Sequence, residues 1–289
     1  KMSYSKPLAY PSQKCVIKHM EVNSRFKLSH QSPSIRKIEK STPLRIDSLT
    51  LKLDQCSVKI NNILHTFRKE KLPKNMQLPQ AFMCLMSKLF CGRRDPIQVK
   101  TLSIECKGSL QLPAGLCLKV SHLEILGSGV DKIADDLQPL LRGSKLQSIT
   151  VNNDFNIHHP IFKTAHLLIL KNPNKNLFRA TAASNVMVKS TCQFLDLFDK
   201  IVELIRNWQS YGQKIGAIWN FSMRQEQFAL LSLVQLRKLP GASYKGHEKF
   251  SESGRSIIIP IDNSAEVHAF VKKEQDDCNL NVIVRRRQF

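Results

Sequence analysis

The sequence predicts a mixed fold, α+β passing into α/β: a short helical N-terminal unit, then a β-hairpin, then an irregular array of strands and returning helices. Three observations carry this. Residues 1–46 are cut by Pro11, Asn23 and Ser32-Pro33 into segments too short for long helices, yet with apolar residues at helical spacing. Around Asp54-Gln55-Cys56 apolar and polar residues alternate with period two, as in paired strands. Beyond residue 100 a four-residue phrase recurs, which is the mark of a repeated unit. The chain therefore divides into 1–46, 47–95 and 96–289.

In the first part, Ser12 is expected to cap a helix carrying Cys15, Val16 and Met20, and Asn23 to stop it. A second helix carries Arg25, Phe26 and Leu28. Ser32 followed by Pro33 at the first helical position opens a third, with Ile35 and Ile38. Isolated helices shorter than about 12 to 15 residues are marginal in water. The unit must therefore pack on its own chain or on another protein. Leu8, Val16, Met20, Phe26 and Leu28 are then either a small internal core or partly an outward face, and residue types alone leave both open.

Ser48 to Asp54 and Ser57 to Asn62 form the hairpin. Phe67 to Gln80, with four basic residues and Pro73 and Pro79, reads as a linker, and an apolar helix follows from about Gln80 to Cys91, ended by Gly92. The recurring phrase is Thr101-Leu-Ser-Ile104, His122-Leu-Glu-Ile125, Ser148-Ile-Thr-Val151 and His166-Leu-Leu-Ile169. Between the second and third copies, Val130, Ile133, Leu137, Leu140 and Leu141 mark a helix loosened at Pro139 and closed by Gly143. Returns of roughly 20 to 26 residues match the period of leucine-rich-repeat solenoids, and a right-handed α/β layer has the same local pattern. Helices over Phe194–Trp208 and Gln225–Leu236 and strands over Ile215–Phe221, Ser256–Ile261 and Leu280–Val284 continue the theme, with Gly241–Gly254 as a polar loop.

Composition narrows the function classes. With 289 residues, 42% of them hydrophobic, the chain can fill one large or two ordinary cores. No apolar run approaches a membrane span and the opening residues do not form a signal peptide, so an intracellular location, cytoplasm or nucleus, is expected, without membrane contact. Eight cysteines lack metal-ligand spacing and are expected to be reduced and mostly buried. Asn220-Phe-Ser222 fits a glycosylation pattern but falls in a strand. Of the net charge of +21, residues 1–100 hold 20 Lys and Arg against 6 Asp and Glu, an excess of 14. Such a surplus favours acidic partners, nucleic acid included, and Arg285-Arg-Arg287 adds a basic tail. Aromatics are only 7% and do not interleave with the basic residues.

Catalytic patterns are absent. Gly127-Ser-Gly129 lacks the Lys and Ser/Thr of a phosphate loop and reads as turn punctuation. His158-His159 with Asp154 lack further ligands, and Asp135-Asp136 fall on the polar side of their helix. No nucleophile motif or paired carboxylates stand out, so a non-enzymatic chain without cofactor or metal is expected.

The run Pro7-Leu-Ala-Tyr-Pro11, Lys14-Cys-Val-Ile17, Arg25-Phe-Lys-Leu-Ser29, Ser32-Pro-Ser-Ile-Arg36 and Pro43-Leu-Arg-Ile-Asp47 resembles the F-box-like opening of a large nematode family of unknown function. Ala81 to Arg93, Val99 to Ile104, Leu112-Pro113, Val120 to Ile125 and Ile259 to Val267 are similar to that family's later segments. The resemblance implies an adaptor: F-box helices bind the linker subunit of a cullin-type ubiquitin ligase, and the remaining chain captures a substrate protein. On that reading the partner-binding residues are Leu8, Tyr10, Pro11, Val16, Met20, Phe26 and Leu28.

Overall fold

The computed structural model describes residues 10–66, 76–152, 155–156, 159–171, 185–189, 194–223, 225–246, 255–274 and 277–287. Contacts group the chain into two units, Lys1–Leu146 and Gln147–Phe289.

In the first unit, three parallel strands set the frame: β1 (Arg45–Lys52), β4 (Ile97–Glu105) and β5 (Leu118–Ile125). The recurring phrase is aligned across them. Leu49 pairs with Leu102 and Leu102 with Leu123, while Leu51, Ile104 and Ile125 form the next row. All six side chains are buried. Ile46, Val99 and Val120 form a third buried row, and in each strand two residues, rather than one, separate it from the row of Leu49, Leu102 and Leu123. Ser48-Leu-Thr-Leu51 is thus a further copy of the phrase, hidden in the sequence because a hairpin follows it.

That hairpin forms as predicted, with β2 (Ser57–Ile60) antiparallel to β1. It gains a strand that the sequence reading placed in no element, β3 (Ile63–Thr66), antiparallel to β2. Asn61 makes the tight return at φ 52°, a conformation asparagine tolerates, and its Oδ1 accepts from the Ser48 amide at 3.1 Å. The order in this unit is β3-β2-β1-β4-β5. Helix α4 (Leu78–Phe90) buries Ala81, Phe82, Leu85, Met86, Leu89 and Phe90, and Gly92 beyond it takes φ 78°. It starts two residues before the expected position, at the Gln77 and Gln80 caps; residues 67–75 of the expected linker lie outside the described residues. Helix α5 (Val130–Leu137) buries Val130, Ile133, Ala134 and Leu137 and ends just before Pro139. The Leu140 amide then reaches Leu137 O at 2.9 Å, an i to i+3 bond that is the loosened turn expected there.

Gly127 lies where the turn after β5 passes the turn after β4. A Cβ there would come within 1.7 Å of Cys106 O, so only glycine fits. This is the structural use of Gly127-Ser-Gly129, and Gly129 opens α5 at φ 76°.

The second unit has parallel strands β6 (Ser148–Val151), β7 (Leu167–Lys171), β8 (Asn185–Lys189) and β9 (Ile218–Met223). The fourth copy of the phrase is shifted by one residue: Ile149 and Val151 pair with Leu168 and Leu170, which are buried, rather than with Leu167 and Ile169, and the row continues from Leu168 to Val186 and from Val186 to Trp219. Then β13 (Asp277–Arg286), β12 (Ala265–Glu274), β11 (Arg255–Pro260) and β10 (Ser243–Gly246) continue antiparallel from β9 in that order. Residues 243–246 of the expected polar loop are therefore a strand. Helices α6 (Pro160–Lys163), α7 (Phe194–Tyr211) and α8 (Glu226–Leu236) complete the unit. Leu197, Ile201, Leu204, Ile205 and Trp208 of α7 are buried at helical spacing, and Trp208 meets Trp219 edge-on at 6.0 Å. Among the described residues, no helix is long and apolar enough to cross a membrane.

Candidate protein-docking site

The N-terminal residues form three helices, α1 (Tyr10–His19), α2 (Val22–Gln31) and α3 (Pro33–Lys40). Two boundaries differ from the expectation. Ser12 lies inside the first turn of α1, and Asn23 does not stop a helix but sits buried in α2, whose cap is Glu21 accepting from the Ser24 amide at 3.0 Å. Asn23 is better used as a tie: its Nδ2 donates to Ile60 O at 3.2 Å and its Oδ1 accepts from His65 Nε2 at 2.7 Å, joining α2 to β2 and β3. Ser32 does precede α3 with Pro33 in its first turn, but its hydroxyl meets Ser34 rather than a backbone amide.

Beneath α2 and α3 lies a buried ionic cluster. Glu39 Oε1 accepts from Arg93 at 2.5 Å and stands 3.4 Å from Arg25 Nη2, with all three side chains under 5% exposed. Arg25 also donates to Pro43 O at 3.0 Å and Thr42 O at 3.2 Å, and Arg93 lies over the Phe26 ring at 5.8 Å. Lys40 donates to Leu89 O at 3.1 Å and Cys91 O at 2.6 Å, fastening α3 to the end of α4. Burial first, and then Arg93 nearby, push the Lys40 ammonium down to about 8. One carboxylate thus serves two guanidiniums drawn from α2 and from the loop after α4, and these pairs join α2 and α3 to each other and to that loop.

The seven sequence-predicted docking residues part company here. Phe26, 4% exposed, is packed edge-on against Phe90 at 6.2 Å and is spent on the internal core. Leu28 and Met20 are half-buried, whereas Pro11 is exposed, Tyr10 is 55% exposed and Val16 50%. Leu8 lies outside the described residues. Helix α1 buries a single residue, Ile17, which the sequence reading had not singled out. Val16 and Met20, four residues apart, share one flank beside that seam, and exposed Cys15 adds to the apolar surface.

Other expected features are accounted for by local structure. His159 caps α6, its Nδ1 accepting from the Ile161 amide at 3.3 Å; His158 and Asp154 lie outside the described residues. Asp136 is not merely on a polar face, since it accepts from the Leu110 amide at 2.6 Å and anchors the loop between β4 and β5. No group of three metal-ligating side chains occurs among the described residues. Seven described cysteines are free thiols, but three, Cys15, Cys84 and Cys117, are exposed, where burial had been expected. The Cys106 thiol, by contrast, is pushed up to about 11, mainly by burial. Within the basic tail, Arg285 pairs with Glu266 at 2.9 Å.

No curated protein and no solved structure matches the chain. A family model described as "Domain of unknown function (DUF3557)" matches residues 77–225, from the cap of α4 to the cap of α8. Covering just over half of the chain, that match makes the protein a member of the DUF3557 family.

Proposed function

We propose that this protein is a non-enzymatic adaptor that presents α1 to a protein partner. The observation that supports it is the exposure of Tyr10 and Val16 on a ten-residue helix with one buried side chain, beside two helices firmly tied to their own chain. A helix this short needs packing for its stability, and a partner covering Val16 and Met20 supplies it. The F-box-like reading of the opening names the partner: the linker subunit of a cullin-type ubiquitin ligase, bound by Tyr10, Pro11, Val16 and Met20, with Leu8 as a candidate and Phe26 and Leu28 supporting from behind.

The remaining strands are proposed as a leucine-rich-repeat-like scaffold for a substrate protein. The rows Ile46-x-x-Leu49-x-Leu51, Val99-x-x-Leu102-x-Ile104 and Val120-x-x-Leu123-x-Ile125 support this, because they repeat the spacing with which such scaffolds fill their core. Free thiols among the described cysteines suit a reducing intracellular compartment.

The test is co-purification with the linker subunit. The expected result is a stable complex that Val16→Asp with Met20→Asp abolishes, because a few buried apolar anchors dominate such contacts. No co-elution, or co-elution indifferent to the double variant, overturns the docking reading.

A further inference from the structure

The N-terminal ends of β1, β4 and β5 leave an open groove of about 460 Å³, walled on the far side by Gly143-Ser144-Lys145. Its chemistry follows from the strand register. Arg45, Gln98 and Lys119 are aligned across the three strands and all three are exposed. Two residues further on, Asp47, Lys100 and Ser121 line the same groove. Ser144 fixes the wall: its hydroxyl donates to Leu118 O and accepts from the Val120 amide, both at 3.1 Å, so the loop carrying Lys145 is held against β5. Four cations, Arg45, Lys100, Lys119 and Lys145, thus converge on one concavity with Asp47 as its sole carboxylate. None of the four cations has an ion-pair partner among the described residues, whereas at the other end of the same strands Lys52 is neutralised by Glu105 at 2.7 Å.

We infer that this groove binds an acidic segment of a partner protein, an extended peptide whose carboxylates meet Arg45, Lys100 and Lys119. Charge complementarity selects an anion. Two features select peptide over nucleic acid. No aromatic side chain lines the groove, so bases would have nothing to stack on. Asp47 also stands beside Lys100, where it repels a continuous phosphate chain yet accepts a hydrogen bond from a peptide amide. Arg45 and Lys119 start from strands two places apart, about 10 Å, and an extended peptide in the polyproline-II conformation covers about that distance in three residues while returning its side chain to the same face. Acidic residues three apart therefore fit the first row. This extends the adaptor reading to a second surface, and it does not require α1 to bind anything.

The experiment is fluorescence anisotropy on the whole chain at low and moderate salt. The probes are a labelled ten-residue Gly/Ser peptide with Glu at every third position, its Gln counterpart, and a thymidine pentanucleotide of similar charge. The Glu peptide is expected to bind at least about tenfold more tightly than either control at low salt. Lys100→Gln with Lys119→Gln should weaken it at least about fivefold, while Lys100→Arg with Lys119→Arg retains binding. Lys132→Gln with Lys163→Gln, two exposed lysines elsewhere, should change nothing. Absence of binding, equal or tighter binding of the pentanucleotide, or indifference to the Gln pair overturns the inference. The Val16→Asp, Met20→Asp variant separates the two proposals: it should lose the linker subunit and keep the peptide.

Discussion

Helices α1 and α2 are both ten residues long and are separated by two residues, yet they are treated in opposite ways. Helix α1 carries Tyr10, Pro11, Cys15, Val16 and Ile17 and buries only Ile17. Helix α2 has fewer apolar residues and buries five positions, of which Asn23, Arg25 and Ser29 are polar. The more apolar helix is the less buried one. Polar side chains help to settle which helix belongs to the core: Asn23 and Arg25 of α2 have partners outside the helix, while Ser29 bonds back to Phe26 O within it. Apolar content left outside on α1 is then surface available for a partner.

The sharpest way to break the contrast is to remove Glu39, the shared acceptor of Arg25 and Arg93. Glu39→Gln leaves two guanidiniums buried without their counter-charge and should destabilise the chain by about 3–5 kcal/mol, measured by urea unfolding. Asn23→Ala removes the ties to Ile60 and His65. Its expected loss is about 1–3 kcal/mol, the penalty of leaving a buried partner unmet.

A pH series sharpens it further. The Lys40 ammonium is held at about 8 in the folded chain, below its ordinary 10.5, so the unfolded chain binds the proton more tightly. Between pH 8 and 10.5 the unfolded state carries more protons, and this group's contribution to stability rises with pH. Below pH 8 both states are protonated and the contribution is flat. Lys40→Met should remove that rise, seen as a flatter difference in unfolding free energy across the window. The smallest effect belongs to α1: Val16→Asp should shift stability by no more than about 0.5 kcal/mol, the range of surface substitutions, even though the residue is apolar.

The phrase repeats were legible because parallel strands in one register must present the same residue types at the same step. Leu102 and Leu123 pair as the phrase implies, whereas in the fourth copy the run of apolar residues Leu167-Leu-Ile-Leu170 hid the phase, and Leu168 rather than Leu167 pairs with Ile149. Strand β12 shows the opposite relation between pattern and burial. Ala265-Glu-Val-His-Ala269 alternates apolar and polar residues as a half-exposed strand does, yet Ala265 through Val271 are all buried, Glu266 and His268 among them. At the candidate site, the helices and their apolar residues were legible but the division between inward and outward was not. Arg25, Glu39 and Arg93 are separated by 14 and 54 residues and look like surface charges. The available signal was phase: Arg25 lies three residues after Val22, on the face that Phe26 and Ser29 share.

Amide hydrogen exchange, followed for the chain alone and with the ligase linker subunit, tests the central claim most directly. The account predicts that α1 amides exchange near the rate of unprotected backbone in the free chain while α2 amides are strongly protected, and that the linker subunit slows α1 at least about tenfold. Protection of α1 equal to that of α2 in the free chain, or no slowing when the linker subunit is added, would contradict it.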